Sequence, residues 1–265
     1  MTASKFHKTG SARKKHGATR PKPRELRDRG WAVLGFDLSM SSIAGAGIGW
    51  DATLKKFKGP NFIYLRWEKD DDYFARLREA AGAQLLVEGL LAELSLFLNL
   101  EDVFIAEEEP WPMGLVRGGM SSFMKQQAEI SGAFLGGLVK WGYQNVSQMN
   151  SIRWRQMVAN DLGITTHHSK WRDPKLAADY NCTPKDSGKF RSKQWALNYF
   201  SGEEFPEDVP DWPDIINSKK DGKIPRPEGS VAKAVQPDDR YDALAVMWTH
   251  HEELRELGAL VGAGE

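Results

Sequence analysis

Apolar positions in this chain begin abruptly at Trp31 and from there fall into short continuous runs separated by stretches of helical period. The run WAVLGFDLS (residues 31–39) predicts a buried strand with one carboxylate, Asp37, near its end. Ser41 and Ser42 make a turn, and IAGAGIGW (43–50) reads as a second strand whose glycines permit close backbone packing. A loop over Asp51–Lys58 leads to NFIYLRW (61–67), a third strand, and the short connections predict an antiparallel meander. Asp70, Asp71 and Asp72 suit a helix N-terminus. Leu77, Ala81, Leu85, Leu86, Leu90, Leu94 and Phe97 then recur at helical spacing, which predicts one long amphipathic helix from Tyr73 to Leu98. VFIAEEE (103–109) is a fourth strand stopped by Pro110 and Pro112. A loop with Gly114, Gly118 and Gly119 precedes a helix over Ser121–Trp141. A short fifth strand (Asn145–Met149) and a helix opened by Asn150 or Ser151 follow.

From Gly163 to Pro237 the periodicity fades into Pro, Gly, Lys and Asp, with one helix near Ser192–Phe200. A loop region this long inside a compact domain is usually functional or disordered. The last helix is expected from near Pro237 to about Leu257, with Pro237, Asp238 and Asp239 all favourable at its start. Three meandering strands followed by alternating helices and strands predict an α/β fold with a mixed sheet and helices on its faces. The expected organisation is a basic arm (1–30), one domain (31–257) carrying an insertion at about 164–237, and a flexible tail (258–265).

Composition changes this picture in one place. With 41% hydrophobic and 27% charged residues the chain is an ordinary globular protein. Its single cysteine, Cys182, excludes an internal disulfide and a CxxC metal knuckle. A reducing, cytoplasmic setting is expected, with no membrane association, because no apolar run approaches the ~20 residues of a spanning helix and the first residues are too basic for a secretory signal. The formal net charge of zero is unevenly spread. Residues 1–30 hold ten Lys/Arg against Glu25 and Asp28, which leaves +8 on this arm and −8 on the rest. Such an arm, without apolar periodicity, is expected to be disordered when free and to suit a phosphate backbone; a merely solubilising or targeting tail is the plainer alternative.

Chemistry concentrates in the acidic residues at element ends. Asp37 closes the first strand, Glu107, Glu108 and Glu109 close the fourth, and the last helix opens with Asp238, Asp239 and Asp242. Asp239 and Asp242, three apart, share a helical face, and the four-residue pair Asp238/Asp242 is also open. Each feature alone has an ordinary explanation: a strand-end turn, a solvated edge, a helix N-terminus. Together they form a set of carboxylates whose mutual repulsion calls for divalent cations. Hard oxygen donors favour Mg²⁺, with Mn²⁺ as a substitute, and two such ions suit phosphodiester hydrolysis. His167-His168 and His250-His251 lack the partners of a zinc site. Gly45, Gly47 and Gly49 are not followed by a helix, against a dinucleotide fingerprint.

Four segments, in order, resemble RuvC-like Holliday junction resolvases of the ribonuclease-H-like superfamily. VLGFDLSMSSIAGAGIG is similar to their opening hairpin, and DVFIAEEEPW to the strand with their catalytic glutamate. FMKQQAEISGAFLGGLVKWG with VSQMNSIRWRQMV resembles the next helix, strand and helix, and QPDDRYDALAVMWTHH the last helix. The resemblance spans about residues 31–163 and 188–255. It implies a ribonuclease-H-like mixed five-stranded sheet and a homodimer that nicks four-way DNA junctions in pairs. A phage-type member acting in a host cytoplasm would account for the arm and the insertion. Carried over, Asp37, Asp239 and Asp242 become metal ligands and catalytic residues, together with Glu107 or Glu108. Spacing from the strand start favours Glu107. An aromatic three residues beyond the family's glutamate favours Glu108, with Trp111 then in the position of a base-parting wedge. Candidate DNA contacts are Lys14, Lys15 and Arg20 of the arm, Trp111, Arg117, Lys125, and Lys189 and Lys193 of the insertion.

Two other classes compete. An actin-like-fold phosphotransferase also opens with a strand, an Asp and a glycine hairpin, but needs a second glycine-rich phosphate loop that this chain lacks. A non-cleaving nucleic-acid scaffold would bind the same DNA and never cut it when Mg²⁺ is supplied.

Overall fold

A computed structural model describes residues 30–40, 42–66, 72–110, 122–164, 174–179, 191–200 and 239–260. Five strands, β1 (Trp31–Leu38), β2 (Ser42–Asp51), β3 (Lys56–Arg66), β4 (Val103–Glu108) and β5 (Asn145–Met149), form one sheet in the order β3-β2-β1-β4-β5. The pairs β1–β2 and β2–β3 are antiparallel, whereas β1–β4 and β4–β5 are parallel. The helices are α1 (Tyr73–Ala81), α2 (Ala83–Glu93), α3 (Ser122–Lys140), α4 (Ser151–Asp161), α5 (Pro174–Asp179), α6 (Arg191–Phe200) and α7 (Asp239–Glu256). The fold is α/β, a mixed five-stranded sheet with helices on both faces. No helix among the described residues is long and apolar enough to cross a membrane.

The two faces separate by strand parity, as the pleat requires. Trp31 and Val33 of β1 join Phe104 and Ala106 of β4 in a core closed by Trp154 and Val158 of α4, Trp195 of α6 and Tyr241–Met247 of α7. Ala32, Leu34 and Phe36 join Val103 and Ile105 on the opposite face, under α1, α2 and α3.

Three elements differ from the sequence expectation, one of them α5, a second helix in the stretch 163–237 where only that near Ser192–Phe200 was expected. β3 starts at Lys56 rather than Asn61, because Asp51 Oδ1 accepts the backbone N–H groups of Thr53 and Leu54 at 3.0 Å each and turns the chain straight back. A register shift between Gly47 and Gly49 absorbs the extra length. The long helix expected from Tyr73 to Leu98 is instead two helices meeting at Gly82, whose N–H bonds back to Arg78 and Glu79. The second ends at Glu93, with Leu94 as its C-cap and Ser95 at φ 54 beyond, so Phe97 lies outside it and is fully exposed. The start of the first is as expected in kind: Asp72 Oδ1 caps the Ala75 N–H at 2.6 Å. Most of the proposed insertion, the arm up to Arg29, and the tail beyond Leu260 lie outside the described residues.

The placement of α7 over β1 depends on Gly35. A Cβ there would sit 2.3 Å from Met247 N and 2.6 Å from Ala243 O, so the helix backbone rests directly on the strand. Gly35→Ala is therefore expected to lift α7, costing about 1–3 kcal/mol as an overpacked core. Urea unfolding checks this; an unchanged midpoint would show that the contact is not tight.

Candidate active site

The parallel pairing of β1 and β4 brings their C-terminal ends to one end of the sheet. Their register runs from Ala32 beside Val103 to Phe36 beside Glu107, and one further step sets Asp37 beside Glu108. Parity decides which way each side chain points. Asp37 follows Trp31 and Val33, and Glu108 follows Phe104 and Ala106, so both belong to the face covered by α7. Glu107 follows Val103 and Ile105 onto the opposite face.

The first turn of α7 supplies Asp239 and Asp242 to the same place. The electrostatics reflect this gathering. Asp37 is pushed well above the usual carboxylate range by burial first, and then by the charges of Glu108, Asp239 and Asp242. Asp242 is raised to about 8, again by burial first and next by Glu108. Burial likewise raises Glu108, against the opposing pull of Arg155 on α4, whose Nη2 stands 3.7 Å from Glu108 Oε1. The structure thus brings together Asp37, Glu108, Asp239 and Asp242.

Glu107, the other candidate for the strand glutamate, lies on the opposite face of the sheet from Asp37. It is fully buried under α3, where its Oε2 accepts from Gln148 Nε2 at 3.2 Å and its Oε1 has no hydrogen-bond partner among the described residues. Desolvation raises its carboxyl to about 7. Glu109 accepts from Asn150 Nδ2 at 3.2 Å, at the N-cap of α4.

Two hydroxyls and a guanidinium that sequence reasoning did not single out complete the site. Ser42 Oγ donates to Asp239 Oδ2 at 2.7 Å, while Ser39 Oγ lies 2.9 Å from Ser42 Oγ in the turn between β1 and β2. Ser192, on α6, donates its hydroxyl to Asp242 Oδ1. Arg155 is the third. These contacts join residues 197 and 50 positions apart, and no local pattern announces them; only the serine-rich turn after Asp37 was a partial signal for Ser42.

The donor set suits a hard divalent cation: carboxylates raised by burial first and then by one another's charge, with one cation as partial offset. As they stand, no three such side chains among the described residues converge to hold an ion. Asp37, Glu108, Asp239 and Asp242 are the residues that would hold one. Of the candidate DNA contacts, Lys125 is exposed on α3. Lys193, expected on an exposed DNA path, is instead buried, with its ammonium 5.5 Å from the centre of the Tyr241 ring. Lys14, Lys15, Arg20, Trp111, Arg117, Lys189 and Asp238 lie outside the described residues.

No protein-family model and no curated protein matches the chain. Among solved structures it is similar to Thermus thermophilus RuvC, with TM-score 0.45 and 13% identity over 86% of this chain and 97% of that one. It is also similar to T. thermophilus RuvC in complex with Holliday junction substrate, with TM-score 0.41 and 14% identity over 85% and 96%. A third similarity is to the ethanolamine utilization protein EutJ from Carboxydothermus hydrogenoformans, with TM-score 0.28 and 11% identity over 82% and 89%. With TM-scores below 0.5, these likenesses carry no weight for the chemistry of this chain.

Proposed function

We propose that this protein is a metal-dependent endonuclease that cuts branched DNA, four-way junctions foremost, and works as a homodimer. The observation that carries the reading is the meeting of Asp37, Glu108, Asp239 and Asp242 at the end of two parallel strands and one helix. Buried carboxylates within reach of one another's charge are costly to a folded protein unless cations neutralise them, so their presence needs a use. The four sequence segments that resemble junction resolvases point to the substrate.

Two Mg²⁺ or Mn²⁺ ions held by these residues would supply an activated water and charge neutralisation at the leaving oxygen. The chain's own groups prepare for this. Gly35 allows α7 to carry Asp239 and Asp242 down to the strand ends. Ser42 fixes Asp239, and Arg155 offsets part of the negative charge beside Glu108.

The test is cleavage by the purified protein of a four-way junction, a flap, a single strand and a plain duplex, with Mg²⁺, with Mn²⁺ and with EDTA. Metal-dependent cutting of the junction above the others is the expected result. Tight junction binding without cleavage in either metal would leave a non-cleaving scaffold in its place. Size-exclusion chromatography with light scattering reports the dimer.

The basic arm belongs to the same reading as a sequence-independent phosphate contact. Deleting residues 1–28 is expected to weaken junction binding and to flatten its salt dependence. The slope of log K against log salt falls by about 0.9 for each phosphate that the arm no longer neutralises. Fluorescence anisotropy at several salt concentrations measures this, and an unaltered slope removes the arm from the interface.

A further inference from the structure

Helix α6 lies within the segment between α4 and α7, where sequence periodicity is weak, yet it is fastened into the domain at two points. Trp195 is fully buried and its indole N–H donates to Asp161 Oδ2, at the end of α4, at 2.7 Å. Ala196 is buried in the core shared with Tyr241 and Ala245 of α7. Ser192, three residues before Trp195 and four before Ala196, falls on that same helical face. It is 3% exposed, and its hydroxyl donates to Asp242 Oδ1.

A serine inside a helix commonly returns its hydroxyl to the carbonyl four residues back. Ser192 directs its proton outward instead, away from its own helix. The acceptor it meets is a carboxylate of the acidic cluster, on a different helix. Anchoring by Trp195 and Ala196 fixes where that proton points.

We infer that Ser192 is a positioning residue for metal binding: its hydrogen bond holds one oxygen of Asp242 and so sets the carboxylate's orientation before an ion arrives. This rests on the reading of the site as a metal-dependent nuclease. Partners that orient ligating carboxylates typically change metal affinity by about 10–100-fold when removed.

The experiment titrates Mn²⁺ into the full-length protein without DNA, followed by electron paramagnetic resonance of the free ion. Wild type, Ser192→Ala, Ser192→Cys, Ser192→Thr and Asp37→Asn are compared, and melting temperatures are recorded in EDTA and in Mn²⁺. Ser192→Ala and the near-isosteric Ser192→Cys are expected to bind Mn²⁺ about tenfold or more weakly. Added Mn²⁺ should raise their melting temperatures less than it raises that of wild type, while Ser192→Thr, which keeps the hydroxyl, recovers both readouts. A role in packing alone would shift melting in EDTA and leave Mn²⁺ affinity as it was. Equal or tighter Mn²⁺ binding by Ser192→Ala or Ser192→Cys, or no recovery by Ser192→Thr, overturns the inference and leaves the nuclease reading in place. Mn²⁺ binding that survives Asp37→Asn unchanged, or is absent from wild type, takes down the nuclease reading and this inference with it.

Discussion

Asp37→Asn and Asp242→Asn should each lower Mg²⁺-dependent junction cleavage by about a thousandfold or more, while DNA affinity in EDTA stays near that of wild type. Metal-held charge stabilisation is worth several kcal/mol in such sites, and each 1.36 kcal/mol is a factor of ten in rate. The same substitutions should act oppositely on stability. Asp242 is raised to about 8, by burial first, so in the folded protein it holds a proton that the unfolded chain releases near the ordinary value of 3.8. An acid with a raised folded-state pKa contributes most at low pH, and that contribution fades as pH climbs from about 4 towards 8. Asparagine carries no such penalty. In EDTA at pH 8 the Asp242→Asn protein should therefore melt higher than wild type, although it no longer cuts. A variant that lost activity through misfolding would melt lower, so the two signs separate chemistry from damage. Cleavage unchanged in both variants would sink the site.

How much of this was legible beforehand follows from how local each feature is. β1 and β4 declare themselves as continuous apolar runs ending in carboxylates, because a strand covered on both faces has no polar alternation to hide them. The last helix is marked by acidic residues at its start, but helical spacing alone leaves Asp238/Asp242 open beside Asp239/Asp242, and it is the family resemblance that selects Asp239. The strand glutamate was different. Adjacent strand residues point to opposite faces, so choosing between Glu107 and Glu108 requires knowing which face α7 covers. That is a property of the assembled sheet, fixed by the register of β4 against β1 and by Gly35 under α7. The hydroxyls of Ser42 and Ser192 were further from reach, since each bonds a residue far along the chain. The break at Gly82 was readable in principle as a glycine within a helical pattern. The apolar spacing continues across it because α1 and α2 contribute to the same core, and that concealed it.

The sharpest consequence of the register is a contrast between neighbours. Glu108→Gln should reduce cleavage by about 10²–10³, as expected for loss of one charged group from a preorganised site. Glu107→Gln should leave cleavage close to wild type, because its side chain lies beneath α3, across the sheet from Asp37. Its effect belongs to folding instead. Burial raises the Glu107 carboxyl to about 7 from an ordinary 4.5, so the native state binds this proton more tightly than the unfolded chain does. Stability on this account is fully present below about pH 4.5 and declines as pH rises to about 7. The loss approaches roughly 3 kcal/mol at the higher end, at 1.36 kcal/mol per unit. Glutamine is neutral at every pH, and its carbonyl still accepts from the Gln148 amide. The Glu107→Gln protein should then gain stability over wild type in urea titrations at pH 8 with EDTA and show little difference at pH 4.5. If Glu107→Gln abolishes cleavage and Glu108→Gln does not, the pairing of β4 with β1 is shifted by one residue and the site must be rebuilt around the other face.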